Sequence, residues 1–234
     1  MLAQAAIGMA GGLLFWTCYR EGEQAAAGAA PALPLRALLA RLGQDGGFWP
    51  VLGAGIAMSA FQFTFTASAI GFMAERFGLG LVAASGLFAI AQLVGIPGRA
   101  LLPMLVDRLW PGRRERCLGW VMAICVVVTG LYALLPPDAP GWALPALLVL
   151  LGLFGIGWFP LYLLQIAELA PRGAIAATVG FASTLCMIAM ALAPLLFGLV
   201  ADAAGHGAAW ALLLLPVAAL APRLIRRPRR AIAG

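Results

Sequence analysis

The sequence predicts an all-α membrane protein of seven transmembrane helices, and three observations carry that prediction. Hydrophobic residues make up 63% of the 234 residues and charged ones 10%, too few polar side chains to cover a water-soluble surface. The apolar residues gather into seven long stretches. Lysine is absent, and the arginines fill every second gap between those stretches.

The stretches are Leu2–Tyr19, Phe48–Met73, Leu79–Val106, Cys117–Leu135, Trp142–Ala167, Ala174–Ala201 and Ala208–Leu224. Each approaches or exceeds the ~20 residues that cross ~30 Å of hydrocarbon at ~1.5 Å per residue. All are too long and too evenly apolar for the ~10-residue alternating strands of a barrel. The first stands alone as a single helix, 1–19. It lacks the positive start of a signal peptide, and cleavage after it would leave Arg36 and Arg41 on the wrong side. Residues 20–47, rich in Ala, Gly and Pro, read as a flexible cytoplasmic linker. The six remaining stretches, 48–224, follow in quick succession, and 225–234 form a basic cytoplasmic tail.

Arg20, Arg36 and Arg41 occupy the first gap, Arg108, Arg113, Arg114 and Arg116 the third, Arg172 the fifth, and five more the tail. The intervening gaps hold only Arg76, with Asp138, Asp202 and the sole histidine, His206. The positive-inside rule therefore places the first, third and fifth gaps and the C-terminus in the cytoplasm and the N-terminus outside, in a plasma membrane, the inner one in a bacterium. A net charge of +6 is accounted for by topology, with no nucleic-acid partner. Cys18, Cys117, Cys125 and Cys186 lie in or at the ends of spans without metal-ligand spacing, so neither a disulfide framework nor a metal site is expected.

The six later spans divide into two triplets at Pro136-Pro137-Asp138-Ala139-Pro140-Gly141. The second span of each ends on a related phrase, LVDRLWPGRR from Leu105 to Arg114 and LVADAAGHG from Leu199 to Gly207. With three spans per triplet the copies end on opposite faces, the pattern of an inverted repeat. Asp107 and Glu168 each close a span on the arginine-rich face. A charge network of Asp107, Arg108, Arg113, Arg114, Glu168 and Arg172 there would either latch helix ends as a gate or act as separately solvated charges.

These phrases resemble the C-terminal half of a major facilitator superfamily transporter, preceded by the last helix of the other half and the central loop. The superfamily's loop signature G-x-L-x-D-R-x-G-R-R is matched by Leu105, Asp107, Arg108, Gly112, Arg113 and Arg114. Pro103 stands in place of the leading glycine, and Leu109-Trp110-Pro111 is two residues longer than the usual spacer. LYLLQIAELAPRG, Leu161 to Gly173, is similar to the Y-x-x-E-x-x-P…R-G phrase of sugar porters, with a shorter gap before Arg172-Gly173. ALAPLLFGLVAD, Ala191 to Asp202, resembles the Pro- and Gly-rich eleventh helix of many members. The resemblance implies a half-bundle of two inverted three-helix repeats. It implies a chain that is one half of a transporter, either incomplete or paired with a missing N-terminal half or a second copy.

Arg99 lies inside the third span, where a charge costs ~2.5–3.5 kcal/mol on insertion scales. Ser85, Gln92 and Arg99 recur every seven residues and share a helix face. GIPGRALLPMLVDR is similar to the eighth helix of monocarboxylate- and oxalate/formate-type members, in which an arginine meets the substrate carboxylate. Arg99 is therefore either a fork-shaped binder of an anion or a snorkelling side chain. Trp158, Tyr162 and Gln165 form one stripe of the fifth span beside Pro160, either packed or lining a cavity, and Gln62, Thr64 and Thr66 face the same question in the second. Gly95, Gly98, Gly152, Gly155 and Gly157 suit close helix approach. The candidate substrate-binding set is thus Arg99, Gln92, Gln62, Trp158, Tyr162 and Gln165.

The expected function is secondary active transport of a small solute, an organic anion if Arg99 binds it, by alternating access. A seven-helix receptor or a channel is the alternative; a retinal protein is excluded because there is no lysine for a Schiff base. No G-x-S-x-G, H-E-x-x-H or histidine/carboxylate cluster points to an enzyme, and no cofactor is implied.

Overall fold

The computed structural model describes residues 34–44, 46–171 and 173–227, with Met9, Gly12, Leu13 and Thr17. Those four are helical; the rest of the expected first span, Arg172 and the tail 228–234 lie outside the described residues. Residues 1–33 and 34–234 form separate compact units, and only the second is developed below. Among the described residues every regular element is helical, and five runs are long and apolar enough to cross a membrane.

A short helix, α1 (Leu35–Gln44), stands where composition reads only linker. Leucines at 35, 38, 39 and 42 keep a helical period that an Ala/Gly/Pro-dominated average hides. Leu38 and Leu42 are buried, and α1 packs on α2 (Phe48–Phe77). That second helix is the central element. It ends at Gly78, whose φ of 63° opens the left-handed region that side chains avoid. Beyond it come α3 (Leu81–Leu109) and α4 (Arg114–Leu134).

The fifth predicted span is not one α-helix but three pieces: α5 (Ala143–Leu150), a π-helical turn (Leu151–Ile156) and α6 (Phe159–Leu169). Pro160 is the cause that the sequence offers. It has no N–H for the Ile156 carbonyl and its ring crowds that turn, so the chain widens just before it, and Gly157 donates to the Gly152 carbonyl at 3.2 Å. Glycines then let α3 close on the widened turn. A Cβ at Gly152 would stand 2.3 Å from the Ala91 carbonyl oxygen, and one at Gly95 2.7 Å from Ile156 Cγ2.

The last run, α7 (Ile175–Ile225), spans 51 residues, more than twice what one crossing needs. It is broken at Gly205 (φ 82°, ψ 161°), a conformation open essentially to glycine alone. The expected loop between the sixth and seventh spans thus contracts to one residue, because Ala201-Asp202-Ala203-Ala204 continues the helix up to it. The limbs 175–204 and 206–225 run antiparallel. Phe197 of the first stacks edge-on against Trp210 of the second at 4.8 Å, while Leu220 reaches Gly53 and Ile225 reaches Gly119.

Helix directions follow from these contacts. At one end gather Gly46, Asp107, Arg114, Glu115, Glu168, Ile225 and Arg227. Towards the other, Phe72, Tyr132 and Trp210 form an aromatic cluster with centroids 5.1–6.0 Å apart, and Tyr132 Oη donates to the Ala69 carbonyl. His206 Nδ1 stands 3.7 Å from Glu75 Oε2 at this second end. Alternate connections therefore meet at alternate ends, as the arginine spacing requires.

Candidate functional site

Arg114, the first residue of α4, is the junction of the arginine-rich end. Its guanidinium forks onto Asp107 of α3, with Nε donating to Oδ1 at 2.6 Å and Nη2 to Oδ2 at 2.7 Å. Nη1 donates to Glu168 Oε1 of α6. One planar cation thus ties three helix ends, the geometry for which arginine is suited and lysine is not. The cluster stays partly wet: the side chains of Arg114, Asp107 and Glu168 are 20%, 42% and 51% exposed. Of the six residues expected in this network the structure brings together three. Arg108 and Arg113 are exposed and make no ion pair among the described residues.

A second knot lies beside the first. Arg227 Nη1 donates to Glu115 Oε1 at 2.7 Å and Nη2 donates to the Gly46 carbonyl, while Arg116 Nε donates to the Ile225 carbonyl at 2.8 Å. Sequence reasoning passed over Glu115 and Arg227. The available signal was Glu115 itself, the one acid inside Arg113-Arg114-Glu115-Arg116.

The expected substrate-binding residues separate into two groups. Gln62, Trp158, Tyr162 and Gln165 are buried within the bundle, Trp158 and Tyr162 completely. Trp158 Nε1 donates to Gln62 Oε1 at 2.8 Å, joining α2 to the α6 end of the broken span. Tyr162 packs directly against Gly55, where a Cβ would stand 2.2 Å from Cζ, and its hydroxyl accepts from Cys186 Sγ at 3.5 Å. These four build the wall between α2, α6 and the first limb of α7. Thr66 and Ser68 bond carbonyls one turn back on their own helix, and Thr64 Oγ1 is buried without a partner among the described residues.

Arg99 and Gln92 lie elsewhere. Buried positions of α3 are Ala84, Phe88, Ala91, Gly95, Gly98, Leu102, Pro103 and Val106. Ser85, Gln92 and Arg99 flank that stripe, with Arg99 exposed and Gln92 half-buried. No side chain among the described residues bonds Arg99. The arrangement offers, on one flank of α3, a guanidinium with no ion pair among the described residues, apart from the buried hydrogen-bonded wall of α2 and α6.

The Major Facilitator Superfamily model matches residues 1–194. The chain belongs to the major facilitator superfamily. Membership makes it a multi-pass membrane transporter of some solute, and superfamily members are in general carriers rather than enzymes. The matched range includes Asp107, Arg114 and Glu168. No curated protein matches the sequence.

Proposed function

We propose that this chain supplies the gating half of a secondary active transporter that moves a small organic anion by alternating access. It would work against a second helical bundle, in the same protein or in a second copy, with its arginine-rich end in the cytoplasm of a plasma membrane and its N-terminus outside. The observation that carries the reading is the Arg114 junction, which closes three helix ends at one face through contacts that water can reach and therefore exchange. Two inverted three-helix repeats, the second broken at the π turn, would form the moving body. Arg99 and Gln92 of α3 supply the direct contacts to the anion, while the Gln62–Trp158 pair, Tyr162 and Gln165 hold α2 and α6 together as a rigid wall.

The test is counterflow of a labelled monocarboxylate in proteoliposomes of the intact protein. Saturable exchange, lost in Arg99→Lys because an ammonium cannot reproduce the fork, is the expected result. Unsaturated conductance would point to a pore, and full exchange by Arg99→Lys would remove Arg99 from the site and leave it snorkelling.

A further inference from the structure

Away from Arg99, on the other flank of α3, an apolar groove of about 730 Å³ runs between α3, α4 and the π turn. Leu105, Val121 and Phe154 are among its walls with Trp120, and at the arginine-rich end it is lined by Arg113 and Arg116 with Trp110. Both tryptophans are about half exposed, at 50% and 54%. Both arginines are exposed. Arg113 forms no ion pair among the described residues, and Arg116 commits only its Nε, to the Ile225 carbonyl. The lining extends from Arg113, just before α4, to Ile124, eleven steps along the chain or about 16 Å at the helical rise. That is the depth of one leaflet, half of the ~30 Å hydrocarbon core.

We propose that this groove holds one anionic phospholipid of the surrounding bilayer, its acyl chain along Leu105, Val121 and Phe154 and its phosphate between Arg113 and Arg116. Charge selects the occupant. Two guanidiniums at headgroup depth offer donors to a phosphate, and the rim contains no carboxylate that would favour a cationic or zwitterionic headgroup. Trp110, three residues before Arg113, marks the same depth, since indole rings settle at the boundary between acyl chains and headgroups, and Trp120 lies one turn deeper along α4. An apolar slot ending in paired arginines fits a molecule with one greasy arm and one anionic end better than a neutral helix, which would leave both charges unanswered. The site is separate from the Arg114 junction, whose guanidinium already holds two carboxylates.

The test places the intact protein in phosphatidylcholine nanodiscs doped with a small fraction of phosphatidylglycerol brominated on its acyl chains, and reads quenching of tryptophan fluorescence. On the order of tenfold enrichment of the anionic lipid over brominated phosphatidylcholine is expected from two arginines near the surface. Trp110→Phe/Trp120→Phe should remove that excess quenching, and Arg113→Gln should cut the enrichment several-fold while sparing the Arg116 bond to the C-terminal limb. Excess inorganic phosphate should leave the quenching unchanged. A measurement on the unmodified chain guards against misfolded variants. Cys117, which lines the groove, should be alkylated several-fold more slowly by a membrane-permeant maleimide in phosphatidylglycerol than in phosphatidylcholine, read on its own peptide by mass spectrometry. Equal quenching by the two brominated lipids, or equal alkylation of Cys117 in both, would overturn the proposal.

Discussion

Arg114→Gln removes the one cation that binds α3, α4 and α6 at the arginine-rich end, and its cost can be worked from exposure. A solvent-exposed ion pair is worth about 0.2–1 kcal/mol. The Asp107 arm, with two bonds at 2.6 and 2.7 Å to a side chain 42% exposed, belongs near the top of that range. The Glu168 arm, one bond to a side chain 51% exposed, belongs near the middle. Together they give about 1–1.5 kcal/mol, or up to about tenfold in an equilibrium. If the junction exists in one state of the transporter and not the other, that energy biases the two-state balance by the same factor. The assay is maleimide labelling of the thiol introduced by Leu169→Cys in the intact protein. Leu169 is 5% exposed where α6 meets the junction, so its labelling reports opening there. Arg114→Gln should speed labelling up to about tenfold, and high salt should narrow the gap by speeding the parent, because exposed pairs are screened. A change of less than about twofold, or no response to salt, would refute the gate and leave Arg114 as a static brace.

The packing predicts further outcomes. Gly55→Ala drives a methyl into the fully buried Tyr162 ring and should cost about 1–3 kcal/mol, seen as a lower thermal midpoint. Gly152→Ala should cost at least as much, since its obstacle is the Ala91 backbone rather than a side chain that can turn, and it should shift the spacing of α3 and the π turn measured by paired spin labels. Trp158→Phe strands Gln62 Oε1. Its cost should fall by about 0.5–1.5 kcal/mol when Gln62→Met is added, and independent costs in that cycle would remove the pair from the stability account. Gly205→Ala should destabilise the α7 hairpin by about 1–3 kcal/mol, with the loss read as faster proteolysis between 200 and 210.

How far the fold was legible in the sequence depends on the kind of signal. Hydropathy located the second to fifth spans within a few residues, because burial in lipid leaves a long uniform imprint, and it covered the last two, which join as the one run Ile175–Ile225. The arginine alternation located the ends, and Gly46, Asp107, Glu168 and Arg227 do meet at one of them. Shorter features escaped. The leucines of α1 are four in a stretch averaged as linker, and the turn at Gly205 needs a φ that no composition reveals. Pro160 announced an interruption of the fifth span, but only the structure shows that it takes the form of a π turn ending four residues earlier, at Ile156. Gly152, Gly155 and Gly157 were readable as close-approach residues, while their partners Ala91, Phe61 and Gly98 were not. Helical period gives a face, and identifying what lies against it requires the neighbouring helix.

The site divides along the same line. Asp107, Arg114 and Glu168 were accessible because charges at the ends of apolar spans have few other places to go. Arg114, Glu115 and Arg116 are consecutive, so their side chains leave α4 about 100° apart. They reach respectively Asp107 and Glu168, Arg227, and the Ile225 carbonyl. The first turn of α4 is thereby held from three directions, and the contacts are unequal. The sides towards α3 and the C-terminal limb are each secured by at least two hydrogen bonds, including the fork to Asp107 and the pair of Glu115 and Arg227, whose side chains are 14% and 27% exposed. The side towards α6 depends on Glu168 alone, the wettest partner of the set. Because water competes best for the most exposed single bond, the Glu168 arm is the contact at this end that costs least to break, and it belongs to α6, the helix that follows the π turn. The break in the fifth span and the weakest arm of the junction thus bound one short segment, which along its length is fastened to α2 by the Trp158–Gln62 bond and by Tyr162 on Gly55.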